Sequence, residues 1–322
     1  MQSTIRGRRR RFAQLIPTHW APVPDDSFSI LDPASFQVRP MCDVLFDALD
    51  RFETRHASAN RITGITTGHR ELDQMLHGLQ PKSLIVVGGP ADCGKTALAL
   101  SIAAHVGTKS HLPILYFALD ESALDIADRL LVLESGVKRE RFQSGRLLRD
   151  DWRTLGDAVK RMRDSQIFLH DTPCHTVDSI RSIASWVEVE HGLSLIIIDR
   201  LELVNGDSNG DTWQELRPGV AYKLKGIAAQ VDVPVIALSR LRNDLGNRDD
   251  FPPGPFDAHE CESIKDADVV LSIDANRTAT SEQGAGSDGA VPIARHLSVT
   301  CLKNNGGRTG MIKVEKVALG ML

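Results

Sequence analysis

The sequence predicts an α/β domain with a mostly parallel central sheet and helices on both faces, and three observations predict it. Apolar runs at 84–88, 114–119, 167–169, 194–198, 234–238 and 268–273 read as buried parallel strands. Helical patterns at 95–106, 122–134, 151–163, 176–190 and 214–231 lie between them, and βα alternation of this kind builds a parallel sheet. At the first strand, an apolar run ends in Gly89-x-x-x-x-Gly94-Lys95-Thr96 and an Ala/Leu-rich helix pattern follows. That is the strand, loop and helix order of a polyphosphate cradle. A ligand of such a sheet sits beyond the carboxyl ends of its strands.

Taken in chain order, residues 1–40 form a basic, Pro-containing arm. Arg6, Arg8, Arg9, Arg10 and Arg11 precede any acidic residue, and Pro17, Pro22, Pro24, Pro33 and Pro40 follow. The composition predicts disorder and suits either contact with nucleic acid or a targeting segment. Residues 41–60 hold one amphipathic helix and its connection. Over 43–55, Leu45, Leu49 and Phe52 fall at i, i+4 and i+7, with Asp43 as N-cap and Arg55 in the last turn. That stripe needs a cover, either its own domain or a neighbouring subunit. The α/β domain then occupies 61–322. Within it, Ser122-Ala-Leu-Asp125 predicts a capping box at the start of the second helix. Residues 275–292, small, polar and Gly-rich, predict a mobile loop. The last strands, 296–302 and 311–317, flank Lys303-Asn-Asn-Gly-Gly-Arg308, and Gly306-Gly307 predicts a two-residue hairpin turn.

Bulk properties narrow the class. The chain has 322 residues, 42% of them hydrophobic, and a net charge of −4, so its surface as a whole does not advertise nucleic-acid binding. Its five cysteines (42, 93, 174, 261 and 301) are scattered and odd in number. A reduced, cytoplasmic compartment fits that pattern, and no apolar run reaches the roughly 18 residues of a membrane span.

The chemistry follows from residue types. Gly89, Pro90, Ala91, Asp92, Cys93, Gly94, Lys95, Thr96 and Ala97 make a loop whose N–H groups and following helix N-terminus point at an anion. Lys95 brings a mobile positive charge to the outer phosphates, and the Thr96 hydroxyl is placed to ligate Mg²⁺. The ligand is ATP or a close relative. Leu195-Ile-Ile-Ile-Asp199 is an apolar strand ending in an acid, and Asp199 is the second holder of Mg²⁺ or its water shell. The strand at 114–119 ends in Asp120-Glu121. A carboxylate there positions attacking water, and strand alternation lets only one of the two reach it. Arg240, at the end of 234–238, is a candidate sensor of the γ-phosphate. Cys93, near a helix N-terminus, is predicted to favour its thiolate.

Beyond those motifs, Ile62-Thr-Gly-Ile-Thr-Thr-Gly-His-Arg-Glu-Leu-Asp73, Phe117-Ala-Leu-Asp-Glu-Ser122, Asp171-Thr-Pro173, Ile198-Asp-Arg-Leu-Glu202, Pro234-Val-Ile-Ala-Leu-Ser239, Asp266-Ala-Asp268 and Lys303-Asn-Asn-Gly-Gly occur in order. With them, residues 41–322 resemble the C-terminal motor domain and linker helix of DnaB-type replicative helicases, a branch of the RecA-like P-loop NTPases. The resemblance implies a hexameric ring, ATP bound between subunits, single-stranded DNA as track, and a replication or recombination protein as further partner. It also implies that helix 43–55 docks on the adjacent protomer and that Arg129 lies near the adenine.

Departures from the family are equally specific. The helical collar that usually precedes the motor is replaced by the 40-residue arm. The family's catalytic glutamate aligns with Asp120, one methylene shorter, and Glu121 falls on a position that is normally apolar. The family's trans-acting arginine aligns with Asn305, while Lys303 is kept. Across a Gly306-Gly307 turn, Arg308 would oppose Asn305 and complete the neighbour's site. Loop 205–216 holds Asp207, Asp211 and Glu215 without Lys or Arg; loop 242–262 holds Arg242 and Arg248 against six acids. Where the family has an Arg-Glu-x-Gly run, this chain has His259-Glu260-Cys261-Glu262, and backbone tracking on DNA depends on positive charge. A recombination mediator of the RecA/RadA kind and a DnaB-like ATPase that binds a protein instead of DNA therefore stand beside the helicase reading.

Overall fold

Strands apolar on both faces must be covered twice, and that requirement sets the architecture. The structure, a computed structural model, describes residues 40–57, 62–172, 175–205, 219–240, 265–273 and 296–315. Its strands are β1 (Leu84–Gly89), β2 (Ile114–Ala118), β3 (Ile167–His170), β4 (His175–Thr176), β5 (Leu195–Asp199), β6 (Val204–Asn205), β7 (Val235–Arg240), β8 (Val269–Ile273), β9 (His296–Asn304) and β10 (Gly310–Glu315). Eight of them form one sheet in the order β10-β9-β8-β1-β7-β5-β2-β3, parallel from β8 to β3, with β9 and β10 antiparallel at one edge. The remaining pair, β4 and β6, forms a separate ladder.

The helices are α1 (Met41–Ala57), α2 (Arg70–Leu76), α3 (Lys95–Ala104, continued by a π-helical turn through Lys109), α4 (Ala123–Ser135), α5 (Arg139–Gln143), α6 (Arg149–Arg163), α7 (Val177–His191) and α8 (Val220–Gln230). Side-chain alternation divides the core into two layers. Ile85, Val87, Ile197 and Leu238 pack with Leu72, Leu98 and Ile126 from α2, α3 and α4. Leu84, Val86, Ile198 and Ala237 pack with Ile180 and Leu224 from α7 and α8 on the opposite face. Because period-2 alternation carries Ile197 and Asp199 to the same side, Asp199 ends its strand on the face where α3 begins.

Several elements show why the boundaries fall where they do. The Ser122 hydroxyl accepts from Asp125 N at 3.1 Å while Ser122 N donates to the Asp125 carboxylate, and α4 stops at Gly136 in the left-handed region. Such a capping box is worth about 1 kcal/mol. The chain divides between Glu53 and Thr54. Helix α1 begins at Met41, so Asp43 lies inside its first turn rather than at its cap. Leu45, Leu49 and Phe52 on α1 are exposed. Residues 1–39 of the arm, the Gly-rich loop at 275–292, loop 242–262 and loop 205–216 beyond Asn205 lie outside the described residues.

The hairpin between β9 and β10 departs from expectation. Cys301 pairs with Gly310, and Gly307 N donates to Asn304 O at 3.5 Å, so the turn centres on Asn305-Gly306 instead of Gly306-Gly307. Residues 305 and 308 are therefore not opposed. Side-chain bonds explain the shift. Asn304 Oδ1 accepts from Gly306 N at 3.1 Å, and Asn304 Nδ2 donates to Met75 O at 3.2 Å and Arg308 O at 3.1 Å. Asn305 Nδ2 donates to Asp268 at 3.2 Å. Gly307 serves close approach: a Cβ there would lie 2.6 Å from Asn304 Nδ2 and 3.0 Å from Met75 O.

Candidate nucleotide-hydrolysis site

At the carboxyl edge of β1 the chain turns sharply into α3, with Asp92 at φ 56° and Gly94 at φ 99°. That positive φ suits Gly94, which has no Cβ to clash. Lys95 is buried, and its Nζ donates to Gly89 O at 2.9 Å and to Pro90 O, with Cys93 Sγ at 3.7 Å. Cys93 is itself buried, and burial pushes its thiol above the ordinary value despite Lys95. The expected thiolate is thus overturned, since desolvation outweighs the helix N-terminus and the lysine.

One residue further on, Thr96 Oγ1 donates to Asp199 Oδ2 at 2.9 Å. This contact joins positions 103 residues apart, and it exists because α3 starts above the end of β5. The same oxygen accepts from Tyr116 Oη at 2.9 Å. Tyr116 is fully buried, and burial followed by the Asp199 charge raises its phenol well above the ordinary value, so it remains a donor. Burial also raises the Asp199 carboxyl, with the Thr96 and Tyr116 hydrogen bonds offsetting part of that. Tyr116 was not singled out from the sequence; its place on the Asp199-facing side of β2 was the signal available.

Hard oxygens of this kind fit Mg²⁺, which takes one or two protein oxygens and completes its octahedron with water and phosphate. Among the described residues no cluster of three or more His, Cys, Asp or Glu forms an independent metal cage, and a nucleotide-borne ion needs none.

Asp120 and Glu121 go to different partners. Asp120 pairs with Arg200 at 3.2 Å, whereas Glu121 pairs with Arg129 at 2.7 Å. Burial lifts the Glu121 carboxyl above its ordinary value, with Arg129 opposing and Asp199 and Asp120 adding to the lift. Its Oε2 is buried without a hydrogen-bond partner. Arg200 also approaches Glu202 at 3.9 Å, and Glu202 Oε1 accepts from Ser239 Oγ at 2.8 Å and Arg240 N at 2.6 Å. Arg240 is exposed at the end of β7, where Gly89 is its register partner.

The family model of the DnaB-like helicase C terminal domain matches residues 64–318. The chain belongs to the DnaB-like helicase C-terminal domain family. Among its curated relatives, the replicative DNA helicase DnaB of Geobacillus stearothermophilus is 36% identical over 233 residues, covering 72% of this chain and 51% of the relative. The replicative DNA helicase DnaC of Bacillus subtilis is 37% identical over 233 residues, with the same coverage. The chain thus spans about half the length of the curated relatives it matches. Among solved structures, the ATPase domain of G40P superposes with a TM-score of 0.76 at 23% identity, covering 88% of this chain and 98% of the other. A DnaB-like replicative helicase, solved with a view to its interactions with primase, gives 0.73 at 23%, covering 87% and 66%. At that identity the two structures speak for the fold, which is the RecA-like one expected.

Within this family frame the remaining residues can be placed. Arg129, expected near adenine, lines a cavity of about 180 Å³ together with Glu121, Val132 and Phe142. Lys303 Nζ donates to Lys265 O at 2.7 Å, and Lys303 pairs with Val270 near the start of β8. Asn305 is engaged by its own chain: its N–H and side-chain amide both bind Asp268, which also pairs with Lys225 at 2.8 Å. Arg308 is exposed. Arg200 and Glu202 carry no local motif; their contacts with Asp120, Ser239 and Arg240 N single them out. No helix among the described residues is long and apolar enough to cross a membrane.

Proposed function

We propose that this chain is an ATP-hydrolysing ring motor that translocates on single-stranded DNA and separates duplex. The observation that carries the reading is the 2.9 Å contact between Thr96 and Asp199 beside the Lys95 loop. It brings together, from two distant segments, a loop suited to phosphate and two oxygens suited to Mg²⁺. On nucleotide binding, Lys95 exchanges its bonds to Gly89 O and Pro90 O for phosphate oxygens. Thr96 and Asp199 would hold Mg²⁺, which would supply neutralising charge at the phosphates. Asp120 or Glu121 orients the attacking water. The water oxygen bonds to the γ-phosphorus, the bond to the bridging oxygen breaks, and ADP departs with that electron pair. Arg240 reads the state of the terminal phosphate from the adjoining strand.

Assembly completes the site. Leu45, Leu49 and Phe52 present an exposed apolar stripe on α1, which suits docking on a neighbouring protomer in a six-membered ring. Lys303 and Arg308, on the edge hairpin, reach the neighbour's nucleotide. A primase-like or loading partner belongs to the same reading.

Forked-duplex unwinding and phosphate release test it together, with Lys95→Ala as control and electron micrographs taken with a non-hydrolysable ATP analogue. Strand separation by closed rings, lost in the variant, supports the motor. Filaments with strand-pairing activity would assign the chain to recombination mediators instead. ATP-driven assembly with no salt-dependent affinity for single strands would assign it to protein binding.

A further inference from the structure

Arg200 follows Asp199 directly and is only 18% exposed. Its guanidinium is held from two sides. Nη2 meets Asp120 Oδ1 from the end of β2 at 3.2 Å, and Nε lies 3.9 Å from Glu202 Oε2. Yet Nε and Nη1 are both buried without a hydrogen-bond partner among the described residues. A buried cation with idle donors is costly, and an anion at the site relieves that cost.

The sheet order says which anion. Ala118 registers with Asp199, Asp199 with Leu238, and Gly88 and Gly89 with Ser239 and Arg240. Arg200 therefore stands two strands, or about 10 Å, from the phosphate loop, on the carboxyl edge of the sheet where a bound triphosphate would end. Four carboxylates (Asp120, Glu121, Asp199 and Glu202) gather there against Lys95, Arg129 and Arg200. Arg129 is committed to Glu121 at 2.7 Å and Lys95 to its own loop. Arg200 keeps two buried donors, Nε and Nη1, unbonded among the described residues. On the edge hairpin, Asn305 is bonded to Asp268, so that residue supplies no guanidinium.

We propose that Arg200 is a catalytic residue acting in cis. Its planar fork, oriented by Asp120 and Glu202, donates to the γ-phosphoryl oxygens as they gain charge. A fork fixed beforehand stabilises the transition state more than the ground state, because nothing need reorganise as the charge develops. The inference rests on the ATPase reading above and adds a cation to that site.

Arg200→Ala and Arg200→Lys, each in the full chain, test it. Phosphate release should fall about 10²-fold or more, by analogy with arginine fingers, while affinity for ADP stays within about threefold. Affinity for ADP with aluminium fluoride, which mimics the transferring phosphoryl group, should drop by the same factor as kcat. Added guanidinium should restore turnover in the alanine variant and not in the lysine variant. Turnover within threefold of the parent overturns the proposal, as does equal loss of ADP and ADP–fluoroaluminate binding, which marks a structural role. Should Arg200→Ala fail to fold, Arg200→Lys carries the same comparison. A parent chain that hydrolyses ATP without regard to Arg200 defeats this inference alone, whereas a parent that binds no nucleotide defeats the reading beneath it.

Discussion

The carboxyl edge of β1 and β5 and the hairpin of β9 and β10 both carry residues assigned to ATP hydrolysis, yet they are built in opposite ways. At the first, Lys95, Asp199 and Tyr116 are buried; Asp199 accepts from Thr96 and Tyr116 across the sheet, and Lys95 donates to carbonyls of its own loop. At the second, Asn305 and Arg308 are exposed, and the hairpin's bonds run to its own neighbours Met75, Lys265 and Asp268. The contrast suggests a division of labour in the proposed motor: a buried, hydrogen-bonded loop suited to phosphate, and an exposed hairpin whose bonds run back to its own chain.

If that division is right, the two regions should respond to mutation on different scales. Lys95→Ala should cost at least about 10³-fold in phosphate release, as removal of a preorganised charge in a water-poor site does, whatever the state of assembly. Arg308→Ala should cost about tenfold, or about 1.4 kcal/mol of barrier, and only in assembled protein. Mixing Lys95→Ala with Arg308→Ala subunits checks the second point. Partial recovery of activity in the mixture is expected, because each variant subunit lends its intact half to a neighbour. Equal loss from Arg308→Ala in dilute, dissociated protein would break the comparison.

Burial at the first region carries a stability cost that the second does not. The Asp199 carboxyl has its folded-state value raised above 3.8, chiefly by burial. A raised carboxyl binds its proton more tightly when folded, so stability falls as pH rises through the folded value and the full cost is present at neutral pH. Asp199→Asn removes that cost and keeps an oxygen to accept from Thr96 and Tyr116. It should therefore melt higher than the parent at pH 7, with the gap closing toward pH 4, while hydrolysis is lost. Paired thermal melts across that range decide it; a variant that melts lower at pH 7 would show that the Thr96 and Tyr116 bonds need the full charge.

How far the sequence revealed each region follows the same line. The parallel strands and the phosphate loop were legible because their signals are local: apolar runs of strand length, and glycines at fixed offsets before Lys95. The pairing of Thr96 with Asp199 was legible because alternation and strand order leave Asp199 few places to go. Asp120 and Glu121 were read as diverging, and they do, but their partners Arg200 and Arg129 arrive from other elements and left no pattern in the local spacing. Cys93 was misread because helix-end electrostatics was weighed without the burial that overrides it. At the hairpin, the paired glycines 306 and 307 suggested the turn, but the register centres it on Asn305-Gly306, held by Asn304 bonds to Gly306 N, Met75 O and Arg308 O that spacing does not show.

That reversal yields the smallest of the expected effects. If Asn304 fixes the turn through Gly306 N, Met75 O and Arg308 O, then Asn304→Ala should lower stability by about 1 kcal/mol, the net worth of such bonds when the hairpin remains partly hydrated. Gly307→Ala should cost a similar amount by a different route, because its Cβ would displace the same amide from 2.6 Å. Since both changes remove one set of contacts, the double variant should lose little more than either single one. Denaturant midpoints at constant slope measure all three. Full additivity would mean that Gly307 acts through the turn's backbone after all, and the two-residue glycine turn would regain its claim on the hairpin's register.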